Sequence, residues 1–228
     1  PGSELFGDHI QGVSTDFPAI IALGQSWNKD LVKKVGQVIG TENLYTCDFL
    51  DTISNFSAAA TTAMQDLRVN PLSGRFDEGF GEDPFLVSEL VNIMATGASG
   101  IDAEGNDSGF WTKCIVTTKH YTDYAGQQFR RTANVANSLR SVMEQQAKNI
   151  KKGIESGAVG GFMTSYGRTA GIPNTISPLV QWMQSFAPWG KDGGTYVVPD
   201  YSADLQLYYE DAMGNGYDSA YVPTYSDA

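Results

Sequence analysis

Four segments of the chain put side chains with chemical potential directly behind runs of strand-forming residues. Asp200 closes "TYVVPD", Lys119 and His120 close "CIVTTKHY", Ser165, Tyr166 and Arg168 follow "GFMT", and Asp66, Arg68 and Asn70 follow "TTAM". A carboxylate at the end of a buried strand has to be hydrogen-bonded, paired or used, because an unpaired buried charge is among the costliest things a fold can hold. A lysine behind four β-formers has to pair or bind something polar, unless it is a solvated edge charge. Together these residues make a carboxylate-rich mouth with one Lys-His pair.

Other chemistries find no support. The sequence has no GxSxG elbow, no Walker loop and no GxGxxG; "GRFDEGFGEDP" is punctuated by glycine, but its acidic side chains would repel a phosphate. Two cysteines, Cys47 and Cys114, and two histidines make neither a disulfide framework nor a zinc set, and Cys114 inside "CIVTT" reads as a buried structural thiol. A formal net charge of −11 argues against a nucleic-acid partner, which needs a concentrated positive surface. No window of about 18 uninterrupted apolar residues predicts a membrane span.

The elements that must position these residues alternate. "AIIALG" (19–24) reads as a β-rich run, followed by a helix with Asn28 as N-cap and Leu31, Val35, Val38 and Ile39 at helical spacing. "EDPFLVSELVNIMATG" is a second helix, capped by Asp83, opened by Pro84, lined by Leu86, Leu90 and Met94 and stopped by Gly97. A long helix, "NSLRSVMEQQAKNIKKGIESG", is closed by Gly157, and "SPLVQWMQSFAPWG" precedes the last strand. The stretch 43–62 fits neither period and reads as a loop insertion. Strands alternating with helices predict a parallel sheet covered by helices, and in such a sheet all the downstream strand ends share one face, so the candidate residues converge there.

At this point several stretches resemble one family. "NPLSGRFDEGFGEDPFL" is similar to the RxPxxGRxxExxGEDPxL segment of the family 3 glycoside hydrolases, the β-glucosidase and β-xylosidase group. "TKHY" resembles that family's KHF/KHY motif, "GFMTSYGRTAGIP" its MxSYNxxxGxP segment, "YVVPDY" its YVVSDW nucleophile strand, and "DHIQGV" with "FPAIIALGQSWNKDLVKKVG" its early segment. Order and rough spacing agree along nearly the whole chain. The resemblance implies a (β/α)8-type, TIM-like barrel, with 1–228 as one glycoside-hydrolase barrel domain whose first strand and following domain are absent from the sequence. It implies a retaining exo-β-glycosidase that acts on terminal β-linked sugars through a glycosyl-aspartate and uses no cofactor or metal. Asp200 would be the nucleophile; Asp8, Arg75, Lys119 and His120 would bind sugar hydroxyls, with Asp66, Met163 and Tyr166 as further pocket residues.

The sequence departs from the family pattern in places. Arginine-aspartate-proline is "RVNP" here, Ser73 stands for tryptophan, and Pro199 stands for serine before the nucleophile, which removes a backbone donor beside the reacting centre. In most of the family the acid/base is a glutamate of a following domain. In one branch, the N-acetylglucosaminidases, it is a histidine-aspartate pair after the Lys-His motif, but "TDYAGQQF" has no histidine. Asp204 and Glu210 could serve only if the last loop folds back. The expectation is therefore a barrel completed by a further domain or chain, with a carbohydrate-binding pseudoenzyme as the alternative.

Overall fold

The computed structural model describes residues 15–49, 59–101, 112–124, 126, 130–131, 133–188, 194–200 and 203. Among them are seven strands: β1 (Ala59–Met64), β2 (Ile115–Tyr121), β3 (Asn134–Val135), β4 (Val159–Thr164), β5 (Arg168–Thr169), β6 (Ile172–Pro173) and β7 (Tyr196–Pro199). The main sheet has the order β1-β2-β4-β7 with every neighbouring pair parallel. The chain thus lays each main strand beside the previous one and never reverses. That is the order of a barrel wall; a doubly wound sheet changes direction at a switch point. Four strands form an arc of such an α/β wall, and the ring is not closed among the described residues. The short strands β3, β5 and β6 form a separate small sheet.

Burial on both faces explains the composition of β2. Val116, Thr117 and Thr118 are all buried, as expected of a parallel strand covered on both sides. Helix α1 (Ile20–Gln25) is followed by α2 (Lys29–Phe49) and α3 (Pro84–Ser99), and α3 packs against α2 on one side and against α5 on the other; α4 is the single turn Leu139–Ser141, α5 spans Lys148–Glu155 and α6 spans Pro178–Gln184. Because α3 is enclosed, Val87, Leu90, Val91, Met94, Ala95 and Ala98 are buried around most of its circumference. Cys114 is buried, and its Sγ lies 3.4 Å from the Ala98 carbonyl oxygen. No described helix is long and apolar enough to cross a membrane.

Caps behave as the sequence predicts. Asn28 Oδ1 accepts the Leu31 N–H at 3.0 Å, and Asp83 Oδ1 accepts the Leu86 N–H at 2.7 Å ahead of Pro84. Other expectations need correction. "AIIALG" is the helix α1 and not a strand: Ile20, Leu23 and Gly24 are buried at i, i+3 and i+4, and a short apolar run does not by itself separate strand from buried helix. The buried face of α2 carries Val32, Val35 and Ile39, while Leu31 and Val38 are exposed. α2 continues to Phe49 and β1 begins at Ala59, so the stretch 43–62 is not simply a loop. The long helix is interrupted by a π-helical turn, Val142–Gln146, before α5; Gly157, at φ 77°, follows α5.

Gly97 does not stop α3, which ends at Gly100 with φ 83°. It serves instead the crossing with α2, where a Cβ on Gly97 would lie 2.3 Å from the Lys33 carbonyl oxygen and one on Gly40 would lie 2.0 Å from that of Ala98. The two backbones are therefore in contact, and side chains are excluded. Gly40→Ala is expected to force the helices apart and cost about 1–3 kcal/mol, the usual penalty for overpacking. Thermal unfolding reads the loss as a lower Tm; an unchanged Tm would mean that the crossing relaxes freely.

Candidate active site

The four main strand ends meet at one mouth. Asp66 follows β1, Lys119 and His120 lie near the end of β2, Ser165 and Tyr166 follow β4, and Asp200 follows β7. Parallel pairing brings these ends together: Met64 is in register with Lys119, Lys119 with Met163, and Met163 with Val198. The Asp200 N–H donates to the Thr164 carbonyl at 3.0 Å, so the position of the carboxylate is set by the sheet itself. Pro199 is accommodated at the end of a strand that has one sheet neighbour among the described residues, where its missing donor breaks no ladder bond.

Asp66 is 3% exposed and carries the polar centre. Its Oδ2 is 2.8 Å from His120 Nδ1 and 3.5 Å from Arg68 Nη2, and the His120 main-chain N–H lies 3.3 Å from each carboxylate oxygen. This grip turns the other edge of the imidazole outward, and His120 Nε2 lies 3.4 Å from Asp200 Oδ2. The ring thus bridges two carboxylates, one sealed and one, at 14% side-chain exposure, open to the mouth. Below it the Gln65 main chain receives Asn149 Nδ2 at 2.8 Å, and Gln65 Oε1 accepts the Thr118 hydroxyl at 3.0 Å.

The cations are arranged by charge. Arg75 grips Glu78 with both arms of its guanidinium, Nε to Oε1 at 2.8 Å and Nη2 to Oε2 at 2.6 Å. Burial pulls the Arg75 pKa down, but the Glu78 hydrogen bonds and charge outweigh it, and the net direction is up. Lys119 is pushed below the ordinary lysine range, first by burial and then by the Arg75 charge, against the opposing pull of Glu78, Asp200 and Asp66. Arg68 is lowered by burial, with Asp66 opposing.

An aromatic wall completes the mouth. The Tyr124 ring lies 4.3 Å from the His120 ring, centroid to centroid, and 6.1 Å from that of Tyr166. Tyr166 hydrogen-bonds Asp200, and its hydroxyl pKa is raised, first by burial and then by the Asp200 charge. Burial also pushes the Tyr124 hydroxyl up to about 12. The loop carrying Tyr124 is anchored from behind: Asp123 accepts from Asn137 Nδ2 at 2.8 Å and from the Thr169 hydroxyl at 2.7 Å, and Asn174 Nδ2 reaches the Thr122 carbonyl and Ser165 Oγ, both at 2.8 Å. The small sheet therefore acts as a bracket for the loop after β2.

Of the residues expected at the site, Asp66, Arg75, Lys119, His120, Met163, Tyr166 and Asp200 all belong to this mouth, while Asp8, Asp204 and Glu210 lie outside the described residues. Sequence reasoning does not single out Tyr124, Asp123 or Asn174. Their signal is weak but present: Tyr124 stands four residues beyond His120 in a polar loop, and Asn174 directly follows "GIP".

The model for the glycosyl hydrolase family 3 N-terminal domain matches residues 6–198. An exo-1,4-β-xylosidase of Emericella nidulans is 28% identical over 207 residues, which are 86% of this chain and 25% of that protein. The β-glucosidase BoGH3A of Bacteroides ovatus is 27% identical over 225 residues, 91% of this chain and 27% of its own length. Among solved structures, a β-glucosidase from Listeria innocua in complex with isofagomine superposes with a TM-score of 0.66 at 26% identity, covering 88% of this chain and 26% of that one. The exo-β-xylosidase XlnD, in complex with a xylobiose aziridine probe, superposes with a TM-score of 0.71 at 21% identity over 92% of this chain and 27% of its own, a likeness of fold. The chain spans about a quarter of the length of these relatives.

Proposed function

The chain belongs to glycosyl hydrolase family 3, and from that premise we propose that residues 1–228 are the (β/α)8-type barrel domain of a retaining exo-β-glycosidase that releases terminal β-linked sugars. The observation that carries the reading is the convergence of Asp66, Lys119, His120 and Asp200 from three parallel strands of one sheet, with His120 Nε2 3.4 Å from the Asp200 carboxylate. A pyranose offers vicinal hydroxyls that each donate and accept, and a pocket of carboxylates, imidazole, ammonium and guanidinium groups answers both needs. Asp66, Arg75, Lys119 and His120, together with Asp8, bind those hydroxyls; Met163 and Tyr166 line the ring.

In the first step an Asp200 oxygen bonds to the anomeric carbon while the bond from that carbon to the glycosidic oxygen breaks, and an acid protonates the departing oxygen. In the second step water attacks the anomeric carbon, passes its proton to the same group acting as a base, and frees Asp200. We assign the acid/base, which must stand about 5 Å across from the nucleophile, to a further domain or chain. The Tyr166 hydrogen bond to Asp200 steadies the free carboxylate before its attack and again after its release.

The test is covalent trapping. A 2-deoxy-2-fluoro-β-glycoside with an activated leaving group should leave one glycosyl mass on the peptide containing Asp200; an adduct on another residue sinks the assignment. The sugar-binding half is checked separately. Lys119→Ala removes a charged donor and is expected to weaken a monosaccharide inhibitor by about 1.5–3 kcal/mol. Unchanged affinity in calorimetry would make Lys119 an edge charge.

A further inference from the structure

The loop after β2 closes on a chain of oxygen atoms that, with every carboxyl ionised, holds one proton too few. Asp123 is 8% exposed, and its Oδ1 accepts from Asn137 Nδ2 at 2.8 Å. Thr169 Oγ lies 2.7 Å from Asp123 Oδ2 and 2.8 Å from Asn174 Oδ1, yet a hydroxyl carries a single proton. Asn174 cannot supply another. Both protons of its Nδ2 are already given, one to the Thr122 carbonyl and one to Ser165 Oγ, each at 2.8 Å, and turning the amide over would set two oxygens face to face at that carbonyl. The Ser165 hydroxyl is committed as well, to the same carbonyl at 2.6 Å. Beside an ionised Asp123, one of the two short oxygen contacts of Thr169 would have no hydrogen in it. We infer that Asp123 is held as a neutral carboxylic acid whose proton goes to Thr169, leaving the Thr169 proton for Asn174, and that this buried proton latches the loop that sets Tyr124 against His120.

The surroundings favour the neutral form. Burial pushes the Asp123 pKa up, and the hydrogen bonds from Thr169 and Asn137 offset that only in part. The titratable groups around it are Tyr121 and Tyr124 on its own segment, Arg168 beside Thr169 on β5, and Arg140 on α4 beyond Asn137. Tyr121 feels the Asp123 charge, but its hydroxyl donates to the Leu179 carbonyl; Arg140 is exposed and pairs with Glu144, and Arg130 and Arg131 lie over the Tyr166 ring. Among the described residues none of these is a hydrogen-bond or ion-pair partner of the carboxyl, whose partners are Asn137 and Thr169. An ionised Asp123 would therefore be a buried charge without a cation, a state that a fold avoids by keeping the proton.

The latch reaches the mouth through the backbone. Asp123 has φ 57°, a left-handed conformation that costs energy in a residue other than glycine and has to be held by its neighbours. On one side of it the Thr122 carbonyl is tied to Ser165 and Asn174; on the other stands Tyr124, with its ring 4.3 Å from that of His120. Loss of the proton turns the Thr169 hydrogen away from Asn174 and draws the carboxylate toward water, and the tyrosine ring moves with it. The role is one of positioning, and it does not depend on what the mouth binds.

Asp123→Asn separates the two protonation states, because an asparagine accepts from Asn137 and donates to Thr169 as the neutral acid does. Urea denaturation of the 228-residue chain is compared with that of the variant over a pH series that starts at the ordinary aspartate value of about 3.9. The other carboxylates are common to both proteins and cancel in the comparison. Above that value the unfolded chain releases the Asp123 proton while the folded chain keeps it, so wild-type stability falls relative to Asp123→Asn as pH rises, and the difference levels off once pH passes the raised folded value. Within that window the folding equilibrium constant of the wild type should fall relative to the variant by up to about tenfold per pH unit, the slope of one proton. The His120 ring-proton resonances, which the neighbouring Tyr124 ring shifts, are followed in the same series. They should nearly coincide in the two proteins at its acidic end and part across the same window. A stability difference that does not change with pH, a wild type that gains on the variant as pH rises, or a variant that fails to fold each overturns the assignment of a neutral acid. Stability that follows the expected course while the His120 resonances stay together overturns the positioning role.

Discussion

Asp200→Asn is expected to lower turnover of an aryl β-glycoside by on the order of 10⁴-fold or more, the scale on which a nucleophile is lost, and to abolish covalent trapping. The substitution keeps the shape of the side chain, the main-chain bond to Thr164 and a group able to accept from Tyr166, so the fold should not change. What it removes is the negative oxygen that attacks the anomeric carbon. Mass spectrometry of the fluoroglycoside-treated variant, beside the wild type, is the direct measurement. A glycosyl label on the Asp200→Asn protein would mean that the reacting carboxylate lies elsewhere and that Asp200 is a strand-end carboxylate held for structure.

The second large effect is on stability. Asp66→Ala takes away the carboxylate that faces Arg68 at 3.5 Å and holds His120 Nδ1 at 2.8 Å, with all three side chains at most 3% exposed. Removing one member of a buried ionic cluster costs about 3–5 kcal/mol, chiefly because its partners stay in the low-dielectric interior without it. Urea denaturation should show a shifted midpoint with little change in slope. Asp66→Asn, which retains hydrogen-bonding atoms but not the charge, should lose less. A loss under about 1 kcal/mol for the alanine variant, the scale of a surface pair, would show that Asp66 serves binding and not the scaffold.

Much of the mouth is legible in the sequence because strand ends announce themselves. "IVTT" before Lys119, "GFMT" before Ser165 and "YVVP" before Asp200 each put β-formers ahead of polar groups, and parallel pairing does the rest. Caps are equally readable, since Asn28 and Asp83 act on donors only three residues away. What escapes a local reading is information held between distant parts of the chain. Gly97 resembles a helix stop because glycine often is one, but its role depends on Lys33 across a helix crossing. "AIIALG" has the composition of a strand, yet it lies in no sheet of the described residues and buries a helical face instead. Tyr124, Asp123 and Asn174 gain their meaning from hydrogen bonds spanning up to 52 residues, and no local period encodes those.

The strand order also divides the labour of the site. Lys119 and His120, proposed to bind sugar, stand on β2, an inner strand flanked by β1 and β4, while the proposed nucleophile hangs from β7, four residues long and joined to β4 alone among the described strands. Short outer strands with a single neighbour are the places where a native protein opens first, well below its global unfolding free energy. If β7 detaches in this way, the grip on a sugar survives while the reacting carboxylate is withdrawn. The proposed grip of Lys119 and His120 on a sugar and the proposed attack by Asp200 would then belong to separable cooperative units.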